Sequence, residues 1–437
     1  MKKGKTAMLF KNITILDEKL TPLENRYVGT IGDKIQYIDK IFPENYTQFG
    51  ESYDGKGKLL MPGFVNSHAH SPMTLMRGHG ENLALKDWLE TKIFPFEALL
   101  IGDDVYYGTL LAMAESLRYG IVSTTDMYYF SEDMVRGILE SQTKNNISRS
   151  ITNFTGQDFS SLEGVREMKE LYEKHHGAAN GKIRVDMSLH GEYTSDPDTG
   201  RALAEYTKEI GANMHLHLSE TVFEHEGCIE RRGKTPAAYL EELGLFDTKT
   251  TAAHCVWVTE EDMDIFKNKG VTVACNPVSN LKLASGVCNV PLLLEKGVNV
   301  AIGTDSVASN NSLNFIEEIK IFSCAPKMQY NDPTKVTPYE AIYAATRGGA
   351  LGQGRDDSGL LAKGFKADLI VLDIGNPNMK PVHNLLTNLV YSASGSDVVL
   401  TMVDGKVLYQ DGDYTTIDVE KVVFEVEQAA ERISKQL

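Results

Sequence analysis

The chain has no run of about 18 apolar residues, so no stretch of it reads as a helix that could span a bilayer. It also has no run of basic residues. Lysine and arginine total 44 against 60 aspartate and glutamate, a formal net charge of −16, which argues against nucleic acid and anionic membrane surfaces as partners. Cysteine is scarce: five residues, at 228, 255, 275, 288 and 324, with no CxxC pair. Reduced thiols in a cytoplasmic protein are the expectation, with no cysteine-based metal site. The amino terminus, MKKGKTAMLFKNITIL, opens with charge, but Lys11 and Asn12 interrupt its apolar part, so no export signal is expected. Internal repeats and low-complexity linkers are absent. What is present is 437 residues with 42% hydrophobic content, enough for a barrel-sized core and a second, smaller body.

The most informative stretch is Met61 to His70, MPGFVNSHAH. Phe64 and Val65, behind a Pro62-Gly63 turn, read as a short buried strand ending in His68 and His70. Residues i and i+2 of a strand point to the same side, so the two imidazoles can share one cation. An isolated HxH is a weak motif, and a polar strand end with incidental histidines is the alternative.

Residues 1 to about 58 alternate apolar and polar in short pieces, which predicts a small antiparallel sheet. From Leu59 the texture becomes apolar strands separated by helical stretches. The first long helix is expected over Asp103 to Tyr119, with Asp103 as N-cap and Gly120 beyond its end. Strand-like runs then recur at IVSTTDMYY from Ile121, RSITNFTG from Arg149, IRVDMSLHGEYT from Ile183 and ANMHLHLSE from Ala212. TAAHCVWV from Thr251, VTVACNPV from Val271 and VNVAIGTDS from Val298 complete a set of eight with the opening strand. Leu162 to His175, Thr199 to Ile210, Pro236 to Leu243 and Glu260 to Lys269 are helical in pattern. Eight strands alternating with helices predict an α/β fold, a parallel barrel whose catalytic groups lie at the carboxyl ends of the strands. Short strands return beyond about Leu361, in KADLIVLDI and DVVLTMVDGKVLYQDG, and the two chain ends should combine into one sheet body. A final helix, Val419 to Leu437, carries Val422, Val423, Val426 and Ile433 on one face for packing.

Of eleven histidines, six fall in or at the ends of these strands, among them His190, His217 and His254, and Asp305 ends the eighth strand in GTDS. A lone strand histidine is more often a satisfied core residue, but several aimed at one barrel mouth reverse that reading. His68, His70, His217 and Asp305 supply three nitrogens and one oxygen, a set that suits zinc and that iron(II) or manganese would also accept. A water on such an ion has its pKa lowered to about 7. Glu220, three residues after His217, is the candidate proton carrier, and His254 the candidate partner of the attacking hydroxide.

The stretches PGFVNSHAHSPMTLMRGHGENLALKDWLETKIFPFE, HLHLSE, AAHC, NPVSNLKLA and GTDSVASNNSLN closely resemble the amidohydrolase superfamily. Within it they are similar to the methylthioadenosine and S-adenosylhomocysteine deaminase group, with its chlorohydrolase and guanine deaminase relatives. The resemblance implies a deformed (β/α)8 TIM barrel over 59–361, flanked by a β-sandwich with a C-terminal helix from 1–58 and 362–437. It implies a single metal on His68, His70, His217 and Asp305, with Glu220 as proton shuttle and His254 as hydroxide partner. His190 stands where two-metal relatives carry a modified lysine and would touch the purine ring; Glu97, in WLETKIFPFE, would bind the ribose hydroxyls.

Trp88, Met73 and Met76 could line the pocket or pack the core. Arginines near the third strand meet the amino-acid carboxylate in relatives that take S-adenosylhomocysteine. Here Arg149 stands at the start of RSITNFTG, and Phe154 near its end suits an uncharged 5′ group.

The expected activity is hydrolytic deamination of an adenosine-type nucleoside, such as 5′-methylthioadenosine, adenosine, 5′-deoxyadenosine or S-adenosylhomocysteine. Ammonia and an inosine-type product leave, with Asp305 and His254 handling the second proton. A guanine, pterin or triazine hydrolase is the near alternative, and a non-catalytic metal-binding scaffold the distant one. The partner is a small molecule, and a homo-oligomer, a dimer by general frequency, is the expected assembly.

Overall fold

The computed structural model describes residues 6–437; residues 1–5, the charged start of the first expected sheet piece, lie outside the described residues. Eight parallel strands form the barrel: Phe64–Ala69, Ile121–Met127, Lys144–Ser148, the pair Ile183–Val185 and Met187–Leu189, then Met214–Leu218, Thr250–His254, Thr272–Cys275 and Asn299–Ile302. They run as a four-stranded and a five-stranded sheet in sequence order. The fourth strand is the seam, broken at Asp186, whose buried carboxylate takes two hydrogen bonds from the Asn146 amide and one from Asn213. The ring closes where a parallel bridge joins Ala69 to Asp305 and the Asp305 N–H donates to the His68 carbonyl at 2.9 Å. Gly303 permits this approach, because a Cβ there would sit 2.8 Å from the His68 backbone nitrogen. This is the deformed barrel expected.

The third strand is a correction. RSITNFTG follows the strand rather than forming it, so Arg149 lies just past the strand's end and Phe154 well beyond it. The true strand, KNNIS, is polar and escaped a search for apolar runs. Its polar residues are buried, and its charge is paired: the Lys144 ammonium lies 2.5 Å from Asp368 and 2.6 Å from Asp404.

Strands from both chain ends form one nine-stranded sheet. Lys58–Pro62 is its hinge, antiparallel to Leu369–Asp373 and parallel to Ala7–Leu16. The first 58 residues are therefore not purely antiparallel. The chain crosses over between Asp39 and Glu51, so Glu51–Asp54 also runs parallel to Ala7–Leu16. Period-two alternation gives the sheet two apolar faces: Leu59, Met61, Ile370 and Leu372 pack into the barrel core, while Leu60, Leu369 and Val371 join Phe10, Ile15, Val28 and Met402 in a separate cluster. Asp404-Gly405 and Asp411-Gly412, all at positive φ, make the tight turns their sequence announces.

The long helix is Gly102–Arg118, and its start is also a correction. Ile101, not Asp103, is the N-cap, and the Asp104 carboxylate accepts the Ile101 N–H at 2.8 Å. The last helix, Val419–Ser434, buries Val422, Val426, Ala429 and Ile433 and leaves Val423 exposed, contrary to its expected packing role. Arg432 of this helix pairs with Asp104. Among the described residues, no helix is long and apolar enough to cross a membrane.

Candidate active site

His68 and His70 leave the first strand with ring centroids 4.9 Å apart, and His217 comes from the end of the fifth strand. The Nδ1–H of His70 donates to the Met127 carbonyl at 2.6 Å, and that of His217 to the His190 carbonyl at 2.7 Å. Each bond leaves an Nε2 lone pair, and the two Nε2 atoms face one another at 3.4 Å. Asp305 aims Oδ1 at the same point, 3.3 Å from His70 Nε2 and 3.5 Å from His68 Nε2. Its Oδ2 is held by the Ser279 and Ser309 hydroxyls at 2.6 and 3.0 Å. His68 Nε2 is buried without a hydrogen-bond partner. Converging lone pairs and a carboxylate oxygen repel one another unless a cation lies among them, so the donor set fits a borderline divalent metal.

The strand ends are bent to achieve this. Ser219, His254, Cys255 and Asp305 all adopt positive φ, at 47°, 71°, 49° and 59°. Such residues cost on the order of 1–3 kcal/mol each and cluster at functional sites. Burial drives the His68 imidazole down to about 3 and His190 to about 4, so both rings are neutral at pH 7. Burial opposes ionisation of Asp305 too, yet its contacts with His68 and His70 hold that carboxyl well below the usual range.

Glu220 and His254 flank the donor set. His254 Nδ1 bonds the Asn280 side-chain oxygen at 2.9 Å, and its Nε2 lies 3.8 Å from Glu220 Oε2. Burial raises the Glu220 carboxyl above its ordinary value, as a proton carrier requires. Burial lowers the His254 imidazole, but the Glu220 and Asp305 charges outweigh it and raise the ring overall. Glu224, unnoticed in the sequence, accepts the backbone N–H groups of Ser219 and Glu220 at 2.9 and 2.8 Å and so fixes the loop.

Above this floor lies a cavity of about 770 Å³ including its mouth. Trp88, Glu97, His190, Glu220, His254, Asp305 and Met73 line it. Met76 is fully buried in the core instead. Two expected contacts are not there. Phe154 is 76% exposed and lies off the cavity. Arg149 also lies outside, its guanidinium bound to Glu167 at 2.6 Å and stacked 4.9 Å from the Tyr129 ring, because the third strand ends earlier than expected. Tyr128, Tyr129 and Tyr193 were missed. The first two directly follow a strand end in IVSTTDMYY, which was the available signal.

Glu97 reaches the cavity through an irregular helix. Leu85–Trp88 and Phe94–Glu97 are α-helical, but Leu89–Ile93 between them is a wider π-turn. Pro95 lacks an N–H and crowds the carbonyl four residues back, which the wider turn accommodates. Twelve α-helical residues would leave Glu97 about 120° from the direction of Leu85; one extra residue in a turn reduces this to about 20°. Leu85, Leu89, Ile93 and Glu97 consequently share the cavity face, and Phe96 packs against His79. Burial raises the Glu97 carboxyl, and the nearby Tyr128 hydroxyl partly offsets that rise.

A ring of parallel strands closed around histidines and an aspartate at its carboxyl end defines a barrel hydrolase. The amidohydrolase family matches residues 59–408, and the chain belongs to it. It is 40% identical to the 5-methylthioadenosine/S-adenosylhomocysteine deaminase of Dictyoglomus thermophilum, over 98% of this chain and 99% of that one. It is 38% identical to the 5′-deoxyadenosine deaminase of Methanosarcina mazei, over 87% and 88% of the two chains. Among solved structures it is similar to a zinc-bound adenosine deaminase from Xanthomonas campestris, with a TM-score of 0.92, 30% identity and 98% coverage of both chains.

Proposed function

We propose that the protein is a hydrolytic deaminase of adenosine-type nucleosides that works with one divalent cation, zinc by preference, held by His68, His70, His217 and Asp305. The carrying observation is that Glu220 and His254 stand beside this donor set on the floor of one cavity whose wall holds Trp88 and Glu97. A bound cation supplies a water acidic enough to react near neutral pH. Glu220 is placed to accept a proton from the attacking water and to deliver one to the ring nitrogen next to the amino-bearing carbon. His254, with Nδ1 occupied by Asn280, offers Nε2 to the attacking oxygen. Asp305 and His254 handle the second proton, which goes to the amino group so that it leaves as neutral ammonia. His190 meets the base and Glu97 the ribose hydroxyls.

Among the described residues, no lysine or arginine lines the cavity. A buried carboxylate without a cationic partner is disfavoured, so an uncharged 5′ group suits this wall better than the amino-acid tail of S-adenosylhomocysteine. The deaminase names of the relatives support the reaction, and the zinc-bound relative supports the metal. We also infer a catalytic barrel over 59–361 and a supporting sheet unit from 1–58 and 362–437, a division that the single sheet drawn from both chain ends favours.

The test is ammonia release by zinc-loaded protein from adenosine, 5′-methylthioadenosine, 5′-deoxyadenosine, S-adenosylhomocysteine, guanine, a pterin and an aminotriazine. Preference for the uncharged adenosines is expected. Turnover of guanine, pterin or triazine alone would overturn the nucleoside assignment while leaving the metal chemistry standing.

A further inference from the structure

Two of the three histidines that face the centre are locked by main-chain carbonyls, His70 by Met127 and His217 by His190. His68 has no carbonyl. Its Nδ1 lies 2.9 Å from Nε2 of His215, a fully buried histidine two residues before His217, and the rings stand at 82°. Two ring nitrogens at that distance share one proton, so one ring donates and the other accepts. If His215 donated, the His68 proton would sit on Nε2 and no lone pair would face the centre. If His68 donates, its Nε2 is free, and that atom has no other partner. The His215 proton then lies on Nδ1, which is also buried without a partner.

We propose that His215 is a positioning residue: it accepts the His68 Nδ1–H and thereby holds the His68 ring and its Nε2 lone pair ready for the cation. The inference rests on the reading that His68, His70, His217 and Asp305 hold a divalent ion. It adds that proton placement in the His68–His215 pair is coupled to occupancy. With the ion bound, His68 donates to His215 and an N–H at His215 stays unpaired. Without it, the opposite placement pairs the two rings equally well and turns a His68 N–H toward Asp305 Oδ1, 3.5 Å away. Of the three locks on the ligand histidines, this one alone is made by a side chain and can be removed by substitution.

The experiment is zinc affinity of the full chain by competition with a chromophoric chelator, for the parent protein, His215→Leu and His215→Gln, with thermal unfolding of each metal-free form. Orienting partners of metal-binding histidines typically change affinity 10- to 100-fold, so a loss of about that size is expected for the leucine variant. Glutamine offers a side-chain carbonyl to the same N–H and should stay within about threefold of the parent. Parent-like affinity in His215→Leu, or an equal loss in both variants, would overturn the proposal. If His215→Leu fails to fold, imidazole ¹⁵N spectra of the zinc-loaded parent decide: an unprotonated Nε2 on His215 supports the assignment and a protonated one overturns it. A parent protein that binds no zinc at all would instead remove the metal reading beneath it.

Discussion

Buried polar groups gather at both ends of the barrel, and the two gatherings differ in one respect. At the amino ends of the strands, Lys144 sits between Asp368 and Asp404. Nearby, Arg355 donates to Gln353 and to the carbonyls of Gly181 and Lys182. At the carboxyl ends, the histidines and Asp305 satisfy their outward atoms and leave the inward ones facing one another. Both ends are rich in ionisable residues, so residue type alone does not separate them. The pairing of charge does: opposite charges meet at the amino ends and tie the barrel to the sheet, whereas at the carboxyl ends ring nitrogens and a carboxylate oxygen converge with no lysine or arginine among them.

Four measurements would break or sharpen this contrast. The largest effect is expected from Glu220→Gln, which should lower kcat by about 10²- to 10⁴-fold while zinc content, read by metal analysis, stays at the parent level. Normal turnover in that variant would remove Glu220 from the chemistry. At the other end, Lys144→Met leaves the buried Asp368 carboxylate without its cation, while Asp404 keeps Lys366 at 3.8 Å, and should destabilise the protein by about 3–5 kcal/mol in denaturant unfolding, with kcat per folded molecule unchanged. A loss of kcat without a loss of stability would erase the distinction between the two ends.

Insertion of one alanine after Lys92, an exposed residue of the π-turn, should turn Glu97 by about a further 100° and so away from the cavity. Removing a hydrogen bond to a charged group predicts a rise in KM for ribosides of about 10- to 100-fold, not additive with Glu97→Gln. Additive losses would show that the turn acts otherwise. The smallest effect belongs to Asp186, whose carboxyl burial pushes up to about 6. Between its ordinary value of 3.8 and about 6 the unfolded chain releases a proton that the folded chain keeps, so stability falls as pH rises through that window. Asp186→Asn should flatten this slope, a change of about 2 kcal/mol in unfolding curves compared at pH 4 and pH 7.

Much of the barrel was legible because seven of its strands are apolar or end in histidine, and both signals survive in a single sequence. Lys144–Ser148 was not, because its burial rests on partners hundreds of residues away, Asp368 and Asp404, which no local pattern reveals. That error displaced Arg149 and Phe154 onto a cavity they do not reach. The convergence of His68, His70, His217 and Asp305 was legible from strand-end positions, since a parallel barrel brings all such ends to one face. The lining by Leu85, Leu89 and Ile93 was not, because the π-turn changes the helical phase in mid-segment.

His190 serves two masters with different atoms. Its carbonyl orients His217, and its ring forms part of the cavity wall. Every amino acid carries that carbonyl, whereas the ring belongs to histidine alone. Position 190 can therefore be varied to present a different surface to a new ring system while the inward-facing geometry of His217 is inherited unchanged. For anyone seeking to redirect this scaffold, it is a place where selectivity can be altered without dismantling the chemistry beneath.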